Sequence, residues 1–194
     1  HAGTLDPLAT GVLILATGKM TKQIEKLQSH TKEYVATIQL GATTPSYDME
    51  HEENETFPTE HITRELIETA LQQFIGNIEQ VPPTYSAVKV NGQRAFDYRR
   101  NGEDIVLKPK NIRIDEIEII HFDTDRMQLT LRVVCGKGTY IRALARDLGR
   151  AINSGAYLVA LRRTRIGDIK VEECINYDHF NEWLNQQNIE IVDK

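Results

Sequence analysis

Two stretches far apart in this chain alternate apolar and polar residues with a period of two. Residues 33–40 set Tyr34, Ala36, Ile38 and Leu40 against Val35, Thr37 and Gln39, and residues 127–134 set Met127, Leu129, Leu131 and Val133 against Gln128, Thr130 and Arg132. That period belongs to strands with one covered face. Gly136-Lys137-Gly138 ends the second stretch. A helical pattern follows, with Ile141, Leu144, Ala145 and Leu148 at i, i+3, i+4 and i+7.

The remaining pattern is irregular. Residues 63–75 read as a helix, with Thr63 as N-cap, an Ile62–Ile67 staple, and a stripe of Leu66, Ile67, Ala70, Leu71 and Phe74 that stops before Gly76. GVLILATG (11–18) reads as a buried strand, and residues 85–90, 105–108, 111–120, 158–164 and 169–171 as further extended segments. Asn91-Gly92 is a turn signal. Residues 19–29, with Met20, Ile24 and Leu27 on one face, 94–100 and 177–187 read as helices. Strands and helices mix without a regular βαβ beat, which predicts an α+β fold on a mostly antiparallel sheet. Neither GxGxxG nor GxxxxGK[ST] occurs.

Charge is unevenly spread. The net charge of −5 over 194 residues argues by itself against a nucleic-acid partner. Yet residues 43–60 carry six acids and no base, and read as an acidic exposed loop. Residues 132–165 carry eight bases against Asp147 alone. A local basic field suits phosphate, although a solvated arginine-rich surface gives the same count. The two cysteines, Cys135 and Cys174, form no framework and point to a reduced, cytoplasmic setting. No run of about 18 apolar residues exists, so no membrane span is expected. GVLILA has no basic residues before it and is not a signal peptide.

Few residues stand out as chemical. Asp6 lies in His1-Ala2-Gly3-Thr4-Leu5-Asp6-Pro7, where Asp-Pro can be an ordinary turn or a carboxylate held on a rigid loop. Tyr34, on the apolar face of a strand, reads as core. Tyr140 and Arg142 sit at a glycine-rich strand-to-helix junction, where backbone can approach a ligand and a guanidinium can pair with carboxylate or phosphate. His51, His61 and the acids between them match no metal-ligand spacing, so no metal is expected.

HAGTLDPLATGVL resembles the aspartate motif of the pseudouridine synthases in its TruB form, GHxGTLDPxATGxL. The likeness continues in order through Lys32-Glu33-Tyr34, Pro82-Pro83-x-Tyr85-Ser86-Ala87-x-Lys89, Lys137-Gly138-Thr139-Tyr140-Ile141-Arg142, Asp147-Leu148-Gly149 and Leu161-Arg162-Arg163. It departs after Leu40-Gly41. The family pattern T-D-T-x-D-x-x-G is here Thr44-Pro45-Ser46-Tyr47-Asp48-Met49-Glu50-His51, which keeps Asp48 but puts Pro45 and His51 in place of Asp and Gly. The resemblance implies one catalytic domain over 1–194, incomplete at its N-terminus and without the C-terminal PUA-type RNA-binding domain of many members.

The TruB branch makes pseudouridine in the T loop of tRNA, by glycosidic-bond cleavage, base rotation and C–C rejoining. The resemblance therefore implies an isomerase that needs no cofactor, acts as a cytoplasmic monomer and flips its target base. Asp6 would be the nucleophile. Tyr34 would stack on the base and help remove the C5 proton, and Arg142 would pair with Asp6. Tyr140 and Leu161 would line the uracil pocket, and His1 would fill the space left by the flipped nucleotide. Arg146, Arg150, Arg162 and Arg163 would contact phosphates. The competing readings are a catalytically silent RNA-binding module on the same fold and a guide-RNA-dependent relative. A glycosidase is disfavoured because no second positioned carboxylate is evident.

Overall fold

The computed structural model describes residues 1–86, 89–90, 93–95, 97 and 107–187. Its centre is a seven-stranded sheet made of β1 (Thr10–Gly11), β2 (Lys32–Leu40), β5 (Gly76–Gln80), β8 (Lys110–Asp123), β9 (Gln128–Cys135), β10 (Ala156–Ile166) and β11 (Ile169–Lys170). The order is β1-β10-β2-β9-β8-β5, with β11 paired to β10. Among the described residues only the β1–β10 pairing is parallel. Short antiparallel pairs join β3 (Ala42–Thr43) to β4 (Glu55–Thr56) and β6 (Lys89–Val90) to β7 (Gln93–Arg94). The α+β expectation with a mostly antiparallel sheet is borne out.

The two alternating stretches are β2 and β9, and they are neighbours. Ala36 pairs with Leu131 and Ile38 with Leu129, so both apolar rows stand on one face. Helices α2 (Arg64–Leu71) and α3 (Ile141–Ala151) cover that face with Ile67, Leu71, Ile141, Leu144 and Leu148. Thr63 caps α2 by accepting the Leu66 N–H at 3.2 Å, and Ile62 and Ile67 are both buried. Burying such a Leu or Ile contributes about 1.5–3 kcal/mol.

Four segments differ from the sequence reading. GVLILATG is not a buried strand: it leaves the sheet after Gly11, where φ is +104° and a Cβ would lie 2.1 Å from the Arg163 carbonyl oxygen. Val12 is buried, but Leu13 and Leu15 stand 44% and 64% exposed at the sheet edge. Residues 19–29 break into a 3-10 turn (Gly18–Gln23) and the short helix α1 (Ile24–Ser29), neither with a buried residue. Residues 107 and 108 are not in a strand; 105 and 106 lie outside the described residues, as do Asn91-Gly92 and most of 94–100. The acidic stretch is exposed over 49–56, whereas Thr44, Ser46 and Asp48 are buried. Thr44 Oγ1 donates to Asp48 O at 2.7 Å, and Ser46 O and Asp48 Oδ2 face the buried Arg142, which is why an irregular polar segment lies inside. The C-terminal helix α4 spans Phe180–Gln186.

Candidate active site

The loop carrying Asp6 is tied down by backbone and by one arginine. Ala2 N–H donates to Ile14 O at 2.8 Å, and Ala9 N–H closes a turn onto Asp6 O at 2.9 Å. Arg163, only 1% exposed, donates from Nε to Val12 O at 2.8 Å and from Nη2 to Gly3 O at 3.1 Å. A buried guanidinium needs such acceptors to offset its lost hydration. Arg163 is therefore a post for the loop: its buried guanidinium, expected to contact phosphate, is engaged by backbone carbonyls.

Arg142 enters from the first turn of α3. Its Nε and Nη2 donate to Asp6 Oδ2 and Oδ1 at 2.9 and 2.8 Å, the two-pronged geometry that fixes a carboxylate plane. Its Nη1 donates to Ser46 O at 3.2 Å, and Nε lies 3.7 Å from Asp48 Oδ2. The buried start of the acidic stretch thus packs against Arg142. Asp48 was marked by the resemblance but given no role there. The start of α3 is clamped by Gln80, which accepts the Tyr140 N–H at 2.9 Å and donates to Tyr140 O at 3.2 Å. Nothing in the sequence marks Gln80, a polar residue at a strand end.

A cleft of about 330 Å³ opens beside this pair, lined by Asp6, Tyr34, Tyr140, Arg142, Leu161 and Lys32 among others. That volume suits a small planar ligand. Tyr34 lies on β2 opposite Arg163 of β10. Burial pushes the Tyr34 and Tyr140 phenols above their ordinary value, so both keep their protons at neutral pH. Lys32 donates to Gln28 O and His30 O, and burial lowers its ammonium from its ordinary value.

Four predicted residues, Tyr34, Tyr140, Arg142 and Leu161, thus gather round Asp6. His1 is exposed and does not line the cleft. Arg146 is buried: it grips Asp147 at 2.8 Å, donates to Val81 O at 2.8 Å, and sits 5.6 Å from the Tyr47 ring centre. Like Arg163, it is buried and engaged by partners within the chain. Arg150 and Arg162 are exposed. Among the described residues no three of His, Cys, Asp or Glu are grouped to hold a metal ion, and no helix is long and apolar enough to cross a membrane.

The family profile for the TruB family pseudouridylate synthase N-terminal domain matches residues 1–141, and that for the tRNA pseudouridylate synthase B C-terminal domain matches 142–192. The chain is 62% identical over 192 residues to tRNA pseudouridine synthase B of Phocaeicola vulgatus, covering 99% of this chain and 81% of that protein. For the protein of the same name from Bacteroides fragilis, identity is 61% over 193 residues, covering 100% and 82%. Among solved structures, a Cbf5-Nop10-Gar1 complex matches at TM-score 0.69 and 28% identity, over 98% of this chain and 48% of that one. An H/ACA RNP bound to a substrate RNA containing 2′-deoxyuridine matches at TM-score 0.64 and 25% identity, over 97% and 47%. With its motifs in order, a whole-length match to two consecutive family profiles and more than half its residues shared with those relatives, this chain belongs to the TruB family of pseudouridylate synthases.

Proposed function

We propose that this chain isomerises a uridine in the T loop of tRNA to pseudouridine, working as a cytoplasmic monomer with residues 1–194 as one catalytic domain. The reading rests above all on Asp6, held in plane by Arg142 at the edge of a base-sized cleft. One further fact supports the single-domain reading. Strand β10, in the part matched as the C-terminal domain, pairs with both β1 and β2 of the N-terminal part.

The target base must leave its stack to reach Asp6, at a cost of a few kcal/mol. Tyr34, Tyr140 and Leu161 then hold the uracil between apolar surfaces. Asp6 attacks C1′ or assists departure of the base, the N1–C1′ bond breaks, and the base turns so that C5 bonds to C1′, displacing the Asp6 carboxylate where it has bonded there. The proton leaving C5 ends on N1, so atoms balance without redox chemistry. Arg142 keeps the Asp6 carboxylate aimed throughout, which is positioning of the kind worth most when it is built in beforehand. Tyr34, protonated at neutral pH, offers its hydroxyl for proton transfer at C5 and its ring for stacking. Arg150 and Arg162 meet phosphates outside the cleft.

Incubating the protein with unmodified tRNA and mapping pseudouridine tests the reading. Conversion of a single T-loop uridine is expected. Binding without conversion would leave only an RNA-binding module.

A further inference from the structure

We propose that His51 is a positioning residue for the Asp6–Arg142 pair, acting through Ser46 and Asp48. The inference rests on the function proposed above. It concerns a residue that stands where the resembled pattern carries glycine.

Ser46 is fully buried, and its Oγ has two neighbours: Asp48 Oδ1 at 2.5 Å and His51 Nδ1 at 2.9 Å. A serine hydroxyl has one proton to give. The shorter contact has the length of an O–H···O⁻ bond, so that proton goes to Asp48. Ser46 Oγ is then an acceptor towards His51, and His51 Nδ1 must be the donor. Proton placement thus runs one way: His51 donates to Ser46, and Ser46 donates to Asp48.

The consequence falls on Asp48. Its Oδ1 takes both the Ser46 hydroxyl and the Glu50 N–H at 3.0 Å. Its Oδ2 is buried with no hydrogen-bond partner among the described residues and faces Arg142 Nε at 3.7 Å. Fixing Oδ1 from behind therefore aims Oδ2 at the guanidinium that holds Asp6. The His51 ring is fixed on its other side by Tyr85, with ring centres 4.8 Å apart. An exposed residue outside the cleft is in this way connected to the catalytic pair through side chains alone.

The test is single-turnover pseudouridylation of unmodified tRNA by the full chain, with tRNA affinity measured alongside. His51→Ala should slow the reaction about tenfold, the worth of one charge-linked hydrogen bond, and leave affinity unchanged. His51→Asn, whose amide N–H can replace Nδ1–H, should recover most of the rate. In a Ser46→Ala background, His51→Ala should cost nothing more, because its route is already cut. A parent-like rate in His51→Ala, an equal loss in both backgrounds, or a loss confined to affinity would each overturn the proposal. An independent check needs no activity: ring-nitrogen NMR of the free protein should read His51 Nδ1 as protonated, and a bare Nδ1 would sink the inference even if tRNA is modified. If Nδ1 is protonated but the parent leaves tRNA unmodified, the proposed function fails, and with it the catalytic purpose of the chain of bonds.

Discussion

Arg142 and Asp6 stand 136 residues apart in sequence and meet edge to edge, with two parallel hydrogen bonds of 2.9 and 2.8 Å. Arg142 is buried, while about a third of the Asp6 side chain remains exposed at 32%. The guanidinium thus belongs to the scaffold and the carboxylate to the cleft. A carboxylate held this way has lost its freedom before substrate arrives.

Asp6→Asn should abolish turnover while tRNA affinity stays within severalfold of the parent's. The amide keeps the shape of the side chain but is no nucleophile, and phosphate contacts elsewhere carry most of the affinity. Single-turnover kinetics and filter binding on one preparation check both halves. A parent-like single-turnover rate would remove Asp6 from its proposed role.

Tyr34→Phe should keep base stacking and lose most of the rate. The change belongs in kcat, with KM nearly constant, because the hydroxyl acts only as bonds are remade. Burial raises the Tyr34 phenol above 10.0, its ordinary value. Its deprotonation therefore comes later than for a free tyrosine, and the parent's pH–rate profile should show no limb from this group below about pH 10. A main effect on KM would reduce Tyr34 to a binding residue.

Local pattern and site were legible to different degrees, for physical reasons. Strands β2 and β9 and the Thr63 N-cap of α2 follow from side-chain period and hydrogen-bonding chemistry, which are local, whereas the helix stops at Leu71 and not at Gly76. Asp6, Tyr34, Tyr140 and Arg142 were legible from motif order, and the fold brings them together. Which arginines are buried was not legible, because a count of charge says nothing of direction: Arg146 and Arg163 donate inward to carbonyls, while Arg150 and Arg162 are exposed. The burial of Ser46 and Asp48 inside an acidic stretch was illegible for the same reason. It depends on Arg142, which arrives from 96 residues away.

Native alkylation should label Cys174 and spare Cys135. Cys174 is exposed, whereas Cys135 is buried at the end of β9, and burial pushes its thiol up to about 11. The thiolate is the reactive form, so Cys135 is inert at pH 8 on two counts. Peptide mass spectrometry after brief iodoacetamide treatment checks this. Equal labelling of both would mean that β9 does not pack as described.

The basic segment should divide into two classes under substitution. Arg163→Ala strips donors from the carbonyls of Val12 and Gly3 in a buried place, each worth about 1–3 kcal/mol. Together that is about 2–6 kcal/mol, and the midpoint of thermal unfolding should fall by roughly 4–24 °C, since about 1 kcal/mol moves a domain of this size by 2–4 °C. Arg146→Ala should behave in the same direction through Asp147 and Val81. Arg150→Ala and Arg162→Ala should leave thermal stability unchanged and instead weaken tRNA binding, each lowering the slope of log K against log salt by about 0.7–0.9 if it meets one phosphate. A salt series with melting curves on the four single variants separates the classes. A lowered salt slope in a still-folded Arg163→Ala would return that residue to the RNA face. Unchanged slopes for Arg150 and Arg162 would move the footprint to Lys19, Lys22 and Lys26, which are all exposed on the segment leading into β2.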